Sequence, residues 1–433
     1  MRILFNAPDF AWPPVRGGHV RVASQLRVLT SLPEIERVRV FWVREDPQAW
    51  RECESLERAI AKVEVAKPVF HPIHLRRHPR YIPRVAWLRL AHGIPYIAGK
   101  WESPRVRRAL AAELRAGRFD AVWLGALGTA HYLPLIRRLA PGARVILDGH
   151  NVESDIWGEF ARRQHGVRRV FAEAEWRGTR RFESDVLRAV DAVGAISDDD
   201  ARGYRELAGV EAHHVPQVVP FVRRPPAPAP GPTVCFVGTL SWHPNILGLD
   251  WFCREVWPLV RGRLADATFE IAGSGLPTDS RGAAIVPPAW RVGGVTTLGF
   301  VPDLSPLYER SAVTVAPILE GSGVRMKLLE AFQNGVPVIT TPEGARGLAI
   351  ENGREAFVEA DPACFAARVI EVATSTRLQE HLRAAGYEYL ERYHGLAPAQ
   401  RVVRTLLGLA DDQKMDAREP FAQGSAARWA LYS

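Results

Sequence analysis

The chain has 433 residues, enough for about three average domains or for two larger α/β ones, and its 47% hydrophobic content, 24% charged content and 13 Trp exclude a disordered chain. Lys plus Arg exceed Asp plus Glu by 8, which leaves anionic substrates, nucleic acid and membrane surfaces open as partners. Only 5 of the 56 basic residues are Lys, and the excess lies up to Val222, with 35 basic and 26 acidic residues against 21 and 22 beyond it.

Cys53, Cys235, Cys253 and Cys364 form no CxxC pair and have no His at ligand spacing, so they read as buried free thiols of a reducing cytosol rather than as disulfides or a zinc site. Met1 to Asn6 is an apolar stretch too short for a signal peptide and is followed by Pro8, Pro13 and Pro14. No apolar run approaches the roughly 18 residues of a membrane span. A soluble cytoplasmic protein is the expectation.

Strand-like apolar runs occur at Ile3–Asn6, Val38–Val43, Ala121–Leu124, Val145–Leu147 and Ala192–Ile196, with helical patterns between, the first from Val20 to Leu32. Arg223 to Pro232, RRPPAPAPGP, is too proline-rich for a helix or a central strand and reads as a hinge. The same grammar then resumes at Val234–Val237, Thr268–Ala272, Val295–Leu298, Val313–Ala316, Val336–Thr340 and Ala356–Val358. Helices are expected at Arg377–Arg392 and Ala397–Ala410, and a loose tail from Asp411 to Ser433. Short apolar strands alternating with amphipathic helices predict parallel sheets covered on both faces. The fold class is therefore α/β, two doubly wound domains: residues 1–222, a hinge at 223–232, residues 233–395, a C-terminal helix at 396–410 and a tail at 411–433. Ligands in such sheets bind at the carboxyl ends of strands, so the cleft between the domains is the expected site.

The most specific segment is Ala316 to Phe332, APILEGSGVRMKLLEAF. A strand leads through Gly321-Ser322-Gly323 into a helix expected to start near Val324. Glycines admit a ligand close to the backbone, and the first turn of a helix offers free N–H groups to an anion. Arg325 and Lys327 stand at that same end, where the helix dipole disfavours positive charge unless an anion offsets it. Phosphate fits. Lys327 is the one lysine between Lys100 and Lys414. Glu320 and Glu330 bracket the loop, placed to accept hydroxyls of a sugar or ribose.

Together, Val237-Gly238-Thr239-Leu240, Gly299-Phe300-Val301 and the run GSGVRMKLLEAFQNGVPVITT from Gly321 to Thr341 resemble the donor half of the GT-B glycosyltransferases of family 4, in a subgroup with GSG-x-R-x-K. The resemblance spans roughly Met1 to Ala410 and is stronger in the second half. It implies two Rossmann-like domains facing each other across a cleft, a nucleotide-sugar donor, a retaining hexosyl transfer to an acceptor hydroxyl, and no metal or other cofactor. It implies that Glu330 holds the ribose, Glu320 contacts the transferred sugar, and Arg325 and Lys327 hold the diphosphate with the amides of Gly323 and Val324. It also implies that the backbone at Val301 reads the base. Two features depart from the family: nine residues lie between Glu320 and Glu330 where seven is usual, which puts Ser322 at the strict first position, and Gly238-Thr239 is followed by Leu240-Ser241-Trp242-His243-Pro244-Asn245 rather than by an Arg and a Lys. Trp242 to Asn245 reads equally as an ordinary turn with a helix cap at Asn245.

In the first half, Gly17-Gly18 matches the family's glycine turn, and His150 in Asp148-Gly149-His150-Asn151-Val152-Glu153 resembles the histidine that contacts the donor sugar. Asp148 and Glu153 are candidate acceptor-side bases. Ser197 reads as the cap of a helix whose acids Asp198, Asp199 and Asp200 stabilise its N-terminus, rather than as part of a metal site. Glu343 fits the same account, in a loop where the family approaches the donor sugar. The products implied are polysaccharide, glycolipid or a glycosylated natural product. A nucleotide-sugar 2-epimerase and a non-catalytic nucleotide-sugar-binding scaffold are the alternatives, while the lack of GxGxxG after either first strand argues against a dinucleotide oxidoreductase.

Between Arg51 and Leu147 there are 18 basic and 7 acidic residues. Arg76, Arg77, Arg80, Arg84 and Arg89 lie among Tyr81, Trp87 and Leu90, a stretch suited to an anionic membrane surface or to an anionic or lipid-linked acceptor. The competing account is a solvated helix with Trp87 packed into its own core. Nucleic acid is not expected as a partner.

Overall fold

The computed structural model describes residues 1–8, 12, 14, 17–44, 50–71, 82–219, 221–223, 231–279, 284–320 and 326–409. The chain divides into two compact units, Met1–Val218 with the segment from Leu396, and Val219–Gly395. The division falls just before the expected 222 because the next residues pack on the second unit: Val219 N–H donates to His394 O, Phe221 stacks on Tyr387 with centroids 5.3 Å apart, and Arg223 pairs with Glu391 at 2.7 Å. Most of the proline-rich hinge (224–230) and the tail (410–433) lie outside the described residues.

The first unit carries strands β1 (Arg2–Pro8), β2 (Arg37–Arg44), β3 (Val63–Val65), β4 (Val69–Phe70), β5 (Ala121–Leu124), β6 (Arg144–Gly149), β7 (Ala192–Ala195) and β8 (His213–His214). They form one parallel sheet in the order β3-β2-β1-β5-β6-β7-β8, with β4 also on β2. The order reverses between β1 and β5, which makes their carboxyl ends the switch point. Every residue of β5 is buried, as expected of a strand covered on both faces. Helix α1 (Gly17–Ser31) follows β1, and helices α2 (Ile82–His92), α3 (Glu153–Arg162), α4 (Gly166–Ala189) and α5 (Asp198–Ala208) complete what the site needs. The helix Leu396–Leu407 returns to this unit: Ala399, Val403 and Leu406 join the core with Leu26 and Leu29, and Gln400 Nε2 donates to Ser31 Oγ at 2.9 Å.

In the second unit β9 (Thr233–Val237), β10 (Thr268–Ala272), β11 (Val295–Gly299), β12 (Val313–Ala316), β13 (Val338–Thr340) and β14 (Phe357–Val358) pair in the order β11-β10-β9-β12-β13-β14. This is the doubly wound order, with its switch point between β9 and β12. Helices α6 (His243–Trp251), α7 (Ser305–Arg310) and α8 (Met326–Gln333) frame that point.

Two sequence readings change. Cys235 and Cys253 are buried, and burial pushes their thiols up to about 11 and about 12, but Cys53 is half-buried and Cys364 exposed. Trp87 is 57% exposed rather than packed into a core.

Two fully buried charges form one pair. Arg21 on α1 is 1% exposed and Asp148 at the end of β6 is 0% exposed. The guanidinium donates to both carboxylate oxygens at 3.1 and 2.7 Å, to Val215 O at 2.6 Å and to Ala195 O at 3.5 Å. Removing one partner leaves an uncompensated buried charge, at a typical cost of about 3–5 kcal/mol. Arg21→Met should lower stability by about that amount in urea unfolding, while Arg21→Met with Asp148→Leu recovers most of it. A single Arg21→Met variant as stable as the native chain would contradict this account.

Candidate functional site

In the second unit the loops after β9, β10 and β12 converge, and glycine lets them. A Cβ on Gly273 would lie 1.8 Å from Gly238 O, and one on Gly248 of α6 would lie 1.7 Å from Pro317 O, so neither position accepts a side chain. Gly238 N–H donates to Ala272 O at 3.1 Å, and Leu240 N–H to Ser274 O at 2.7 Å. The Gly273-Ser274-Gly275 turn had no part in the sequence reading, although it repeats the Gly-Ser-Gly of 321–323 directly after a strand.

Lys327 stands in the first turn of α8. Its Nζ donates to Asn245 Oδ1 at 2.5 Å and sits 4.5 Å from the centroid of the Phe236 ring on β9. Asn245 is buried, and its Nδ2 donates to Thr239 O at 2.8 Å. One amide thus fixes both the lysine and the Gly238-Thr239 loop, and Gly238 makes room for it, since a Cβ there would lie 3.0 Å from Asn245 Nδ2. Asn245 is not a helix cap: α6 already begins at His243, with Pro244 in its first turn and no side-chain cap.

Glu330 lies three residues beyond Lys327, on the same side of α8. Burial pushes its carboxyl up, and it has no hydrogen-bond or ion-pair partner among the described residues. The Tyr308 hydroxyl on α7, which responds to the field of Glu330, is likewise buried without a partner. Glu320 is exposed, with Oε1 3.9 Å from His243 Nε2 on α6. Val301 is half-buried against the cluster of Cys235, Ala272, Leu307 and Tyr308, just after Gly299 at φ 70°. Gly321, Ser322, Gly323, Val324 and Arg325 lie outside the described residues. Glu343 is no free acid: it pairs with Arg346 at 3.1 Å in a short helical turn capped by Thr341.

In the first unit, α1 begins at Gly17, and a Cβ on Gly18 would lie 4.0 Å from His150 Nδ1. The glycine turn and the histidine, 132 residues apart in sequence, therefore meet. His150 Nε2 is buried without a partner among the described residues, and burial pushes the imidazole pKa down, which keeps it neutral. Asp148, read as a candidate base, is instead held by Arg21 and has no accessible surface. Glu153 is the remaining carboxylate; burial pushes its pKa up, partly offset by Lys100.

The loop bearing His150 is clamped from α4 and α5. Tyr204 Oη donates to Asn151 O at 2.7 Å, Val152 N–H to Asp200 Oδ1 at 3.3 Å, and Glu153 and Ser154 N–H to the two oxygens of Glu183 at 2.9 and 3.0 Å. Gly149 is required, because a Cβ there would lie 1.9 Å from Tyr204 Oη. Ser197 caps α5 by accepting from Asp200 N–H at 3.1 Å, as the sequence suggested. Among the described residues no group of three or more His, Cys, Asp or Glu is arranged to hold a metal.

Residues 231–375 match the family described as Glycosyl transferases group 1. The matched segment lies wholly within the second unit. An uncharacterized 44.6 kDa protein in the cps region of Klebsiella pneumoniae is 24% identical over 213 residues, 48% of this chain and 54% of that protein, so the chain spans about half the length of this curated relative. Among solved structures, Anabaena HepE in complex with UDP and glucose covers 94% of this chain and all of its own at 14% identity and a TM-score of 0.57. Sucrose-phosphate synthase from Thermosynechococcus elongatus covers 94% and 100% at 16% identity and a TM-score of 0.60. TarM of S. aureus, in complex with fondaparinux, alpha-GlcNAc-glycerol and UDP, covers 94% and 99% at 10% identity and a TM-score of 0.62. The chain has the GT-B fold, and its second unit places Lys327 and Glu330 beside that sheet's switch point.

Glu183 makes the clamp on the His150 loop sensitive to pH. Burial raises its carboxyl from 4.5 to about 7. A raised acid stabilises the fold fully below its unfolded value, and that stability is lost as pH rises through the folded value. The native chain should lose about 3 kcal/mol of stability between pH 4.5 and 7 from this group, at about 1.4 kcal/mol per unit. Glu183→Gln should flatten that part of the melting-temperature profile, and an unchanged slope would contradict the assignment.

Proposed function

We propose that the chain transfers a hexosyl unit from a nucleoside diphosphate sugar to an acceptor hydroxyl with retention of anomeric configuration. The observation that carries the reading is Lys327, oriented by Asn245 and Phe236 at the switch point of a group 1 transferase domain, with the unpartnered Glu330 one turn further. Uridine is the favoured base, because HepE is seen with UDP and glucose. The ammonium of Lys327, with Arg325, offsets the charge that develops on the leaving diphosphate. Glu330 accepts the ribose hydroxyls, Glu320 and His150 contact the sugar, and the acceptor binds on the first unit.

In this reading the C1–O bond to the diphosphate breaks, a C1–O bond to the acceptor forms on the same face, and the acceptor proton passes to the departing phosphate oxygen. No protein base at glycosidase spacing is required, and the charge is met by side chains rather than by a metal. The acceptor is anionic or lipid-linked, as in the building of a polysaccharide, glycolipid or glycosylated natural product. A peripheral membrane contact through Arg76–Leu90 belongs to the same reading, with one change. Arg84 donates to Glu102 O at 2.6 Å, and Arg89 pairs with Glu175 at 3.1 Å, so both are engaged within the first unit. Arg76, Arg77, Arg80 and Tyr81 lie outside the described residues.

Lys327→Ala should reduce turnover of the preferred donor by roughly a thousandfold or more, the scale of removing a transition-state charge partner, at an unchanged melting temperature. Donor choice is read from a thermal-shift panel of nucleoside diphosphates and their sugars, and NMR of the product's anomeric proton reads retention. Turnover should persist in EDTA. Full activity of Lys327→Ala would overturn the reading.

A further inference from the structure

We propose that the α3–α4 hairpin tip of the first unit, residues 160–171, is a docking surface for an anionic lipid bilayer. The inference deepens the membrane contact of the proposed function, and its vesicle-binding test reads independently of sugar transfer.

Helices α3 and α4 form a hairpin whose turn is followed by residues with no protein behind them: every residue from His165 to Phe171 is exposed, and burial begins at Ala172. At such a position a water-facing helix ordinarily carries polar side chains. Here Val167 is 86% exposed, Val170 69% and Phe171 67%, with Phe160 at 48% on α3. These apolar residues alternate with Arg162, Arg163, Arg168 and Arg169, and no acid intervenes between Glu159 and Glu173. Arg169 pairs with Glu173 at 2.8 Å, whereas Arg162, Arg163 and Arg168 have no acidic partner among the described residues.

The surface continues onto α2. Val167, Val170, Phe171, Ala174 and Gly178 follow one another on a single face of α4, and Arg89 of α2 lands at its end, donating to Ala174 O at 2.6 Å and lying 2.8 Å from where a Gly178 Cβ would be. Beside Arg89, Trp87 and Leu90 face outward.

The charge decides the occupant. A second copy of this chain would bring four arginines against four. A protein groove would be expected to receive a defined knob rather than a protruding helix start. Unpaired arginines around exposed Val and Phe suit an interface of phosphate headgroups over acyl chains, where the apolar side chains enter the boundary and the long arginine stems reach back to the headgroups.

The test uses the full chain and extruded vesicles of phosphatidylcholine, with or without 30 mol% (about one lipid in three) phosphatidylglycerol, in a sedimentation assay. The chain should bind the anionic vesicles at least tenfold more tightly than the neutral ones. Arg162→Gln with Arg163→Gln and Arg168→Gln, or Val170→Ser with Phe171→Ser, should each weaken that binding at least tenfold at an unchanged melting temperature. On the native chain, vesicles should slow amide hydrogen exchange within 160–172. Equal binding to both vesicles, undiminished binding by either variant, or protection confined to other segments would overturn the proposal. So would a concentration-dependent dimer that Val170→Ser with Phe171→Ser dissolves, since it would assign the tip to a second copy.

Discussion

The first unit is organised around a guanidinium that never meets water. Arg21 reaches from α1 beneath the sheet's carboxyl edge and binds Asp148 together with two carbonyls, Val215 O and Ala195 O. Charges buried this deeply are tolerated when the geometry is good and the remaining hydrogen-bond capacity is used, and here the donors point to a carboxylate and two strand ends. The pair therefore fixes where α1 starts relative to β6, and with it the approach of Gly18 to His150. It also removes Asp148 from chemistry, since neither oxygen is left exposed to a substrate. The histidine two residues later is left neutral by its own burial, near a carboxylate and a guanidinium whose effects on it oppose each other.

The second unit solves a related problem differently. Lys327 is held by a buried amide and an aromatic face. An Asp at position 245 would add a negative charge beside the ammonium, whereas Asn orients it through a neutral amide oxygen. Glu330, with no cation among the described residues, is the complementary case. Its raised carboxyl records burial without compensation, as expected of a group whose partners arrive with a ligand.

How much of this was legible depended on the range of each interaction. Strands of four buried and mostly apolar residues, such as Ala121–Leu124 and Val313–Ala316, declare themselves through local composition. Val63–Val65, Val69–Phe70 and His213–His214 do not, because two or three residues carry no measurable period and are held as strands by their neighbours. The segment around Lys327 was readable because its residues are contiguous. Asp148 was misread because its partner lies 127 residues earlier, and a carboxylate after a strand looks the same in sequence whether it is free or salt-bridged. In sequence Asn245 reads evenly as a helix cap or as a functional residue, because a cap is a common local use of Asn; the partner that decides, Lys327, is 82 residues away. The Gly273–Gly238 approach was hidden for the same reason, being a contact between two loops rather than a property of either.

The arginine excess sharpens in the same way when followed residue by residue. Many of the first unit's arginines are structural cations: besides Arg21, Arg84 and Arg89, Arg137 donates to Ala189 O and Arg144 to Leu406 O, each closing an otherwise unsatisfied backbone group. A guanidinium suits this work, since its fixed fork serves a carbonyl and a carboxylate at once. Net charge counts such residues equally with free ones, yet their field is answered at short range. What distinguishes Arg162, Arg163 and Arg168 is therefore not their charge but the absence of an acidic answer among the described residues, next to exposed Val and Phe. A charge excess that the fold consumes says little about partners; the part left over, and the apolar surface left beside it, is where a partner of opposite charge gains most by binding.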